Sequence, residues 1–76
     1  MSKLDDIEDS LNNVIETTQD LTNRTLDAYN DGWLPKENMQ EMIKRGQKMI
    51  EDSQKSLKLV EELKNKTKEI NERNYL

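Results

Sequence analysis

From Leu4 to Ala28 the apolar and threonine positions Leu4, Ile7, Leu11, Val14, Thr18, Leu21, Thr25 and Ala28 recur in alternating steps of three and four. That spacing is a heptad seam along one face of an α-helix, and Ile15 and Tyr29 widen it on one side. The pattern stops at Gly32, a residue that readily takes the left-handed conformation ending a helix. It restarts at Pro35, tolerated in a first helical turn because its missing N–H has no partner there. Met39, Met42, Gly46, Met49, Ser53, Ser56, Val60, Leu63, Thr67 and Ile70 then step by three and four again, flanked by Ile43, Ile50 and Leu57. Leu59 is the one apolar residue outside this stripe. The expectation is an all-α fold, an antiparallel two-helix hairpin with a helix over about 4–30, a turn over 31–34 and a longer helix over about 35–73. Packing should be coiled-coil-like, within a single domain spanning 1–76.

Local signals agree with these boundaries. Ser2 or Asp5 can cap the first helix, and Asp5, Asp6, Glu8 and Asp9 place negative charge at the positive end of its dipole. Glu37 does the same for the second helix, where Trp33 and Leu34 can fold back near Met39 as a staple. A turn of about four residues makes the helices antiparallel neighbours of unequal length. Pairing outward from it sets Asp5 opposite about Val60. Leu63, Thr67 and Ile70 then lie beyond the shorter arm, which points to self-association into a homo-oligomer. Gly46, Ser53 and Ser56 put small residues on the seam, suited to close backbone approach or to receiving a neighbour's larger side chain.

Composition narrows the function classes. The 76 residues are 37% charged and 32% hydrophobic, with no Cys, His or Phe, and mean hydropathy is -1.11. A chain this polar and short buries little alone, so patterning rather than bulk hydrophobicity has to order it. Without Cys or His there is no disulfide framework and none of the usual zinc, haem or nucleophile–base sets. No apolar run matches a membrane span or a signal-peptide core, so the expectation is a cytoplasmic protein with no membrane partner, in the host cytoplasm if viral. The triplets Asn23-Arg24-Thr25 and Asn65-Lys66-Thr67 would accept glycans only in a secreted chain.

Charge is divided unevenly. Residues 1–34 carry eight acidic and two basic side chains, net -6, and residues 35–76 carry eight acidic and ten basic, net +2. Opposite mean charges favour antiparallel pairing. Lys44, Arg45, Lys48, Lys55 and Lys58 form the densest basic stretch. It reads either as a phosphate-facing strip for nucleic acid or a nucleotide, or as a solvated face interleaved with Glu51, Asp52, Glu61 and Glu62 in an acidic protein.

The paired carboxylates Asp5/Asp6, Glu51/Asp52 and Glu61/Glu62 point apart on a helix and read as solubility groups. There is no phosphate-binding glycine loop, Ca²⁺ loop or serine elbow. The sequence therefore argues for a non-enzymatic protein without cofactors. Met39, Met42 and Met49 form a stripe suited to core packing or to an adaptable binding face. Tyr29, Gly32, Trp33 and Pro35 gather at the turn, either locking it or offering an anchor to a protein partner.

The run Leu26 … Leu34-Pro35-Lys36 … Met39-Gln40-Glu41-Met42, then Gly46-Gln47 and Met49, and finally Leu57-Lys58-Leu59 … Leu63-Lys64, resembles the central helical hairpin of T4-type phage small terminase subunits. The resemblance covers roughly residues 20–68, with a one-residue insertion near Asn38. It implies a ring-forming oligomer that recognises viral DNA and regulates the motor's large subunit during genome packaging. This chain has almost nothing on either side of the hairpin, where that family would carry DNA and motor contacts. The alternative expectation is a small phage-encoded inhibitor or ligand sponge, binding a host protein or a nucleotide through the Lys44–Lys58 face and the Trp33 turn.

Overall fold

A computed structural model describes residues 2–74, with side chains placed through residue 67. It contains two helices, α1 (Lys3–Asn30) and α2 (Lys36–Asn74), packed antiparallel as a hairpin. The backbone measures 64 × 19 × 12 Å with a radius of gyration of 18.1 Å, where a compact globule of this length would have about 11 Å. The accessible surface is 6550 Å², against about 4,900 Å² for a compact monomer of this mass.

Both ends of α1 are closed by the residues the sequence marks for it. Ser2 is the N-cap: its hydroxyl accepts the Asp5 N–H at 3.2 Å, and the Asp5 carboxylate accepts the Ser2 N–H at 3.4 Å. This reciprocal pair satisfies two of the backbone donors that a helix start leaves free. At the other end Gly32 takes φ +82°. There the Gly32 N–H donates to the Tyr29 carbonyl at 3.1 Å and the Trp33 N–H to the Ala28 carbonyl at 2.9 Å. These two bonds are the Schellman pair, which satisfies the last α1 carbonyls and reverses the chain. The turn extends one residue further than the spacing implies. Pro35 sits at the cap, its carbonyl accepting the Met39 N–H at 3.0 Å, and α2 begins at Lys36.

The seam is thin. Val60, 6% exposed, is the buried apolar residue among those described, and the other buried positions are Thr18, Thr25 and Ser53. The threonine hydroxyls carry no unmet demand. Thr18 donates to the Val14 carbonyl at 2.7 Å, Thr22 to Thr18 at 3.0 Å and Thr25 to Leu21 at 2.7 Å. Each hydroxyl is thus satisfied on its own helix and turns its methyl outward as a small apolar group. Opposite them lies Gly46, where an added Cβ would stand 3.3 Å from Thr22 Oγ1 and 3.4 Å from Thr18 Cγ2. The expectation of close approach therefore holds at Gly46, and the backbone approached is that of the same chain. Replacing Gly46 by leucine should force the helices apart and destabilise the fold by about 1–3 kcal/mol, as overpacking does. A thermal melt followed by circular dichroism measures it, and an unchanged Tm would remove the close-packing account.

Candidate association face

A heptad stripe has two flanks, and the structure chooses between them. Leu4, Leu11, Thr18 and Thr25 on α1 and Met39, Gly46, Ser53 and Val60 on α2 turn inward, as expected. The alternating positions differ from expectation. Glu8, Ile15, Thr22 and Tyr29 are half-buried against the flank formed by Ile43, Ile50, Leu57 and Lys64, while Ile7, Val14 and Leu21 are left exposed on α1 and Met42, Met49 and Leu63 on α2. Helix pairing in antiparallel sense sets like flanks together, so one choice governs both helices. On α1 the richer flank is Ile7–Val14–Leu21; on α2 it is Ile43–Ile50–Leu57. The flank that packs holds Ile43, Ile50 and Leu57 of α2, and it also brings Lys64 to two carboxylates.

Lys64 Nζ pairs with Asp5 Oδ1 and lies 2.8 Å from Glu8 Oε2. The hydrogen bond from Lys64, supported by those from Ser2, holds the Asp5 carboxyl below the usual carboxylate range. The same contacts, Asp5 first and Glu8 second, raise the Lys64 ammonium above the ordinary lysine range. This cluster closes the open end of the hairpin. The backbone register is the expected one: Gly46 faces Thr18 and Thr22, which sets Asp5 opposite about Val60, and Lys64 reaches back along the pair to the two carboxylates. Leu63 then lies at the end of the paired length, on the exposed flank. Thr67 is exposed too, and its hydroxyl donates to the Leu63 carbonyl at 2.9 Å. The Ile70 side chain lies outside the described residues.

Among the described residues, six of the nine large apolar side chains left in solvent share one side of the hairpin: Ile7, Val14, Leu21, Met42, Met49 and Leu63. Leu21, Met42 and Met49 line a single groove whose floor is Gly46 with Thr18, Thr22 and Thr25. Ile7 and Val14 border a second depression around Leu11. A third, around Leu11, Met49, Ser53 and Ser56 and rimmed by Arg45, Lys48 and Asp52, lies between them. Leu59 stands one row further out on the same side. On the opposite side the equivalent outer rows carry Asn12, Gln19, Gln40, Gln47 and Gln54, with Leu26 the lone exposed aliphatic. An apolar band of this kind is a candidate contact surface.

The other candidate residues are more dispersed. Lys44, Arg45, Lys48, Lys55 and Lys58 are all exposed on α2. Arg45 is paired with Glu41 at 3.0 Å, and Glu41 and Glu51 sit among Lys44, Arg45 and Lys48 on one polar patch. Tyr29 and Leu34 are half-buried at the turn, whereas Trp33 is 84% exposed. The Schellman turn is held by backbone bonds, and Trp33 projects from it rather than locking it. Among the described residues no cluster of acidic side chains could hold a metal ion, and no helix is long and apolar enough to cross a membrane. No protein-family model matches the chain, and neither a curated protein nor a solved structure shows significant similarity to it.

Two outcomes follow. Asp5's depressed carboxyl contributes stability that is complete above its usual value of 3.8 and is lost as pH falls through the folded-state value. The raised Lys64 contributes below the usual 10.5 and loses its contribution only in strong alkali. The Tm should therefore be level around neutrality and fall in acid, with Lys64→Gln flattening part of the acid limb; an identical acid limb in the variant would count against the cluster. Separately, Trp33→Ala should shift stability by no more than about 0.5 kcal/mol, as substitutions of exposed residues do. A large loss of Tm would mean that Trp33 packs against the turn after all.

Proposed function

We propose that this chain is a non-enzymatic association module, a helical hairpin that works by packing its exposed Ile7–Leu21 and Met42–Leu63 side against other helices. The observation that carries the reading is the gathering of six exposed aliphatic and methionine side chains on one face beside a seam with a single buried apolar residue. The methionines suit such a surface, being flexible enough to repack against a partner. A phage DNA-packaging complex is the assembly to which the resemblance to small terminase hairpins points, with this chain as its oligomerisation core.

A second reading is favoured by the exposed Trp33. A rigid turn that presents an indole to solvent is the form of anchor that fills a pocket on another protein, which suits a small inhibitor of a host protein. The basic strip of α2 supports phosphate binding less well, because acidic side chains are threaded through it and Arg45 is already paired.

Association makes stability depend on concentration. Tm should rise as protein concentration is raised, and light scattering should give a mass above the 9.0 kDa of one chain. Leu21→Glu with Met49→Glu should abolish both effects, while Leu26→Glu on the opposite side should leave them intact. A monomeric mass at every concentration would sink the proposal.

A further inference from the structure

Building on the association reading, we infer that the occupant of the apolar face is a second copy of this hairpin. The two stack face to face as a closed four-helix dimer with both Gly32–Pro35 turns at the same end. Three features of the molecule lead there.

The first is size. The paired part of the hairpin is as long as α1, whose 28 residues span about 42 Å, and the hairpin is 19 Å across. Covering that face would bury roughly 800 Å² on each copy, or about 1,600 Å² in all, the area of a standard stable interface.

The second is that the described residues form one such face. The side opposite carries Asn12, Gln19, Gln40, Gln47 and Gln54 in the equivalent rows. Rings and filaments need two different adhesive patches on each subunit, whereas a single self-complementary patch closes on itself about a two-fold axis.

The third is charge, which selects between the two ways of stacking. With the axis along the hairpin, the turns share an end and α1 of each copy lies on α2 of the other, antiparallel. With the axis across it, the turns lie at opposite ends and α1 lies on α1. The α1 half carries a net charge of -6 and the α2 half +2. The second arrangement sets the two acidic helices against each other at about 10 Å, where screening at physiological salt is incomplete. The first alternates the charges around all four helices. Apolar positions also meet in it as they do within the hairpin: Leu21 already shares a groove with Met42 and Met49, and the stacked copy offers the same groove in return.

The absence of cysteine makes the orientation directly measurable. A spin label on Lys36→Cys, the exposed first residue of α2, reports the separation of the two turns by pulsed dipolar spectroscopy, and a second label on Asn30→Cys guards against a local effect of either substitution. Turns at one end place the labels roughly 20–25 Å apart, set by helix packing distances. Turns at opposite ends place them roughly 40 Å apart, given labels about 14 residues from the middle of α1 and 1.5 Å per residue. The expected result is the short distance in a sample whose light-scattering mass is twice the monomer. A dimer with the long distance overturns the orientation, and a larger assembly overturns two-fold closure; in both the association reading survives. A monomer overturns that reading itself.

Discussion

The approach of the two helices at Gly46 sets the terms for everything else in this molecule. With an added methyl already within 3.3 Å of Thr22 and 3.4 Å of Thr18, the space between the backbones near the middle of the hairpin takes hydrogen, hydroxymethyl and threonine methyl groups and little more. Thr18, Thr25 and Ser53 fill it, with their polar atoms satisfied locally, and Val60 alone among the described residues brings a buried aliphatic side chain. A seam this narrow gives up the large transfer free energies that Leu and Ile supply when buried, about 1.5–3 kcal/mol each. Larger side chains are displaced to its two margins. One margin, with Ile15, Tyr29, Ile43, Ile50 and Leu57, is half-buried between the helices. The other is left in water.

Much of this was legible in the sequence, and the part that was not has a physical cause. The positions Leu4, Leu11, Thr18 and Thr25, and Met39, Gly46, Ser53 and Val60, belong to the seam on either choice of flank, so heptad spacing identifies them unaided. Gly32 and Pro35 fix the turn because only a few residues take those backbone angles cheaply. The flank itself is ambiguous. Each helix has an apolar margin on both sides, and the two helices prefer opposite ones. Hydropathy weighs each helix alone and so marks both margins without choosing between them. The register follows from the turn, and Lys64 meets Asp5 and Glu8 because a lysine side chain reaches about one helical turn along its neighbour. The sequence left Trp33 open between locking the turn and standing clear of it, because the backbone bonds of the turn form with either placement of the indole.

The candidate face follows from these two results together. A narrow seam and a single favoured margin leave six large apolar side chains with no place inside the hairpin, and the charge on the two helices then limits how they can be covered. Function on this view is a continuation of folding, since the surface available for binding is what the intrachain packing could not use. The threonines contribute to both. Their hydroxyls donate to α1 carbonyls, while Thr18 Oγ1 also lies 3.5 Å from the Met49 sulfur and Thr22 Oγ1 faces Gly46.

The short turn has a kinetic side as well. Contacts near Gly32 link residues close in sequence, while the Lys64–Asp5 and Lys64–Glu8 pairs span nearly the whole chain. Loop-closure entropy rises with the length enclosed, so each pairing outward from the turn is cheap only once the one before it has formed. The hairpin should therefore zip from Gly32 toward Ser2, with the ion cluster fastening last and opening first. Amide exchange would then grade along α1, slowest around Thr18 and Thr25 and fastest at its beginning. The helix end that Ser2 caps is thus the one most often released, and the capping box and the lysine cluster share the task of holding it.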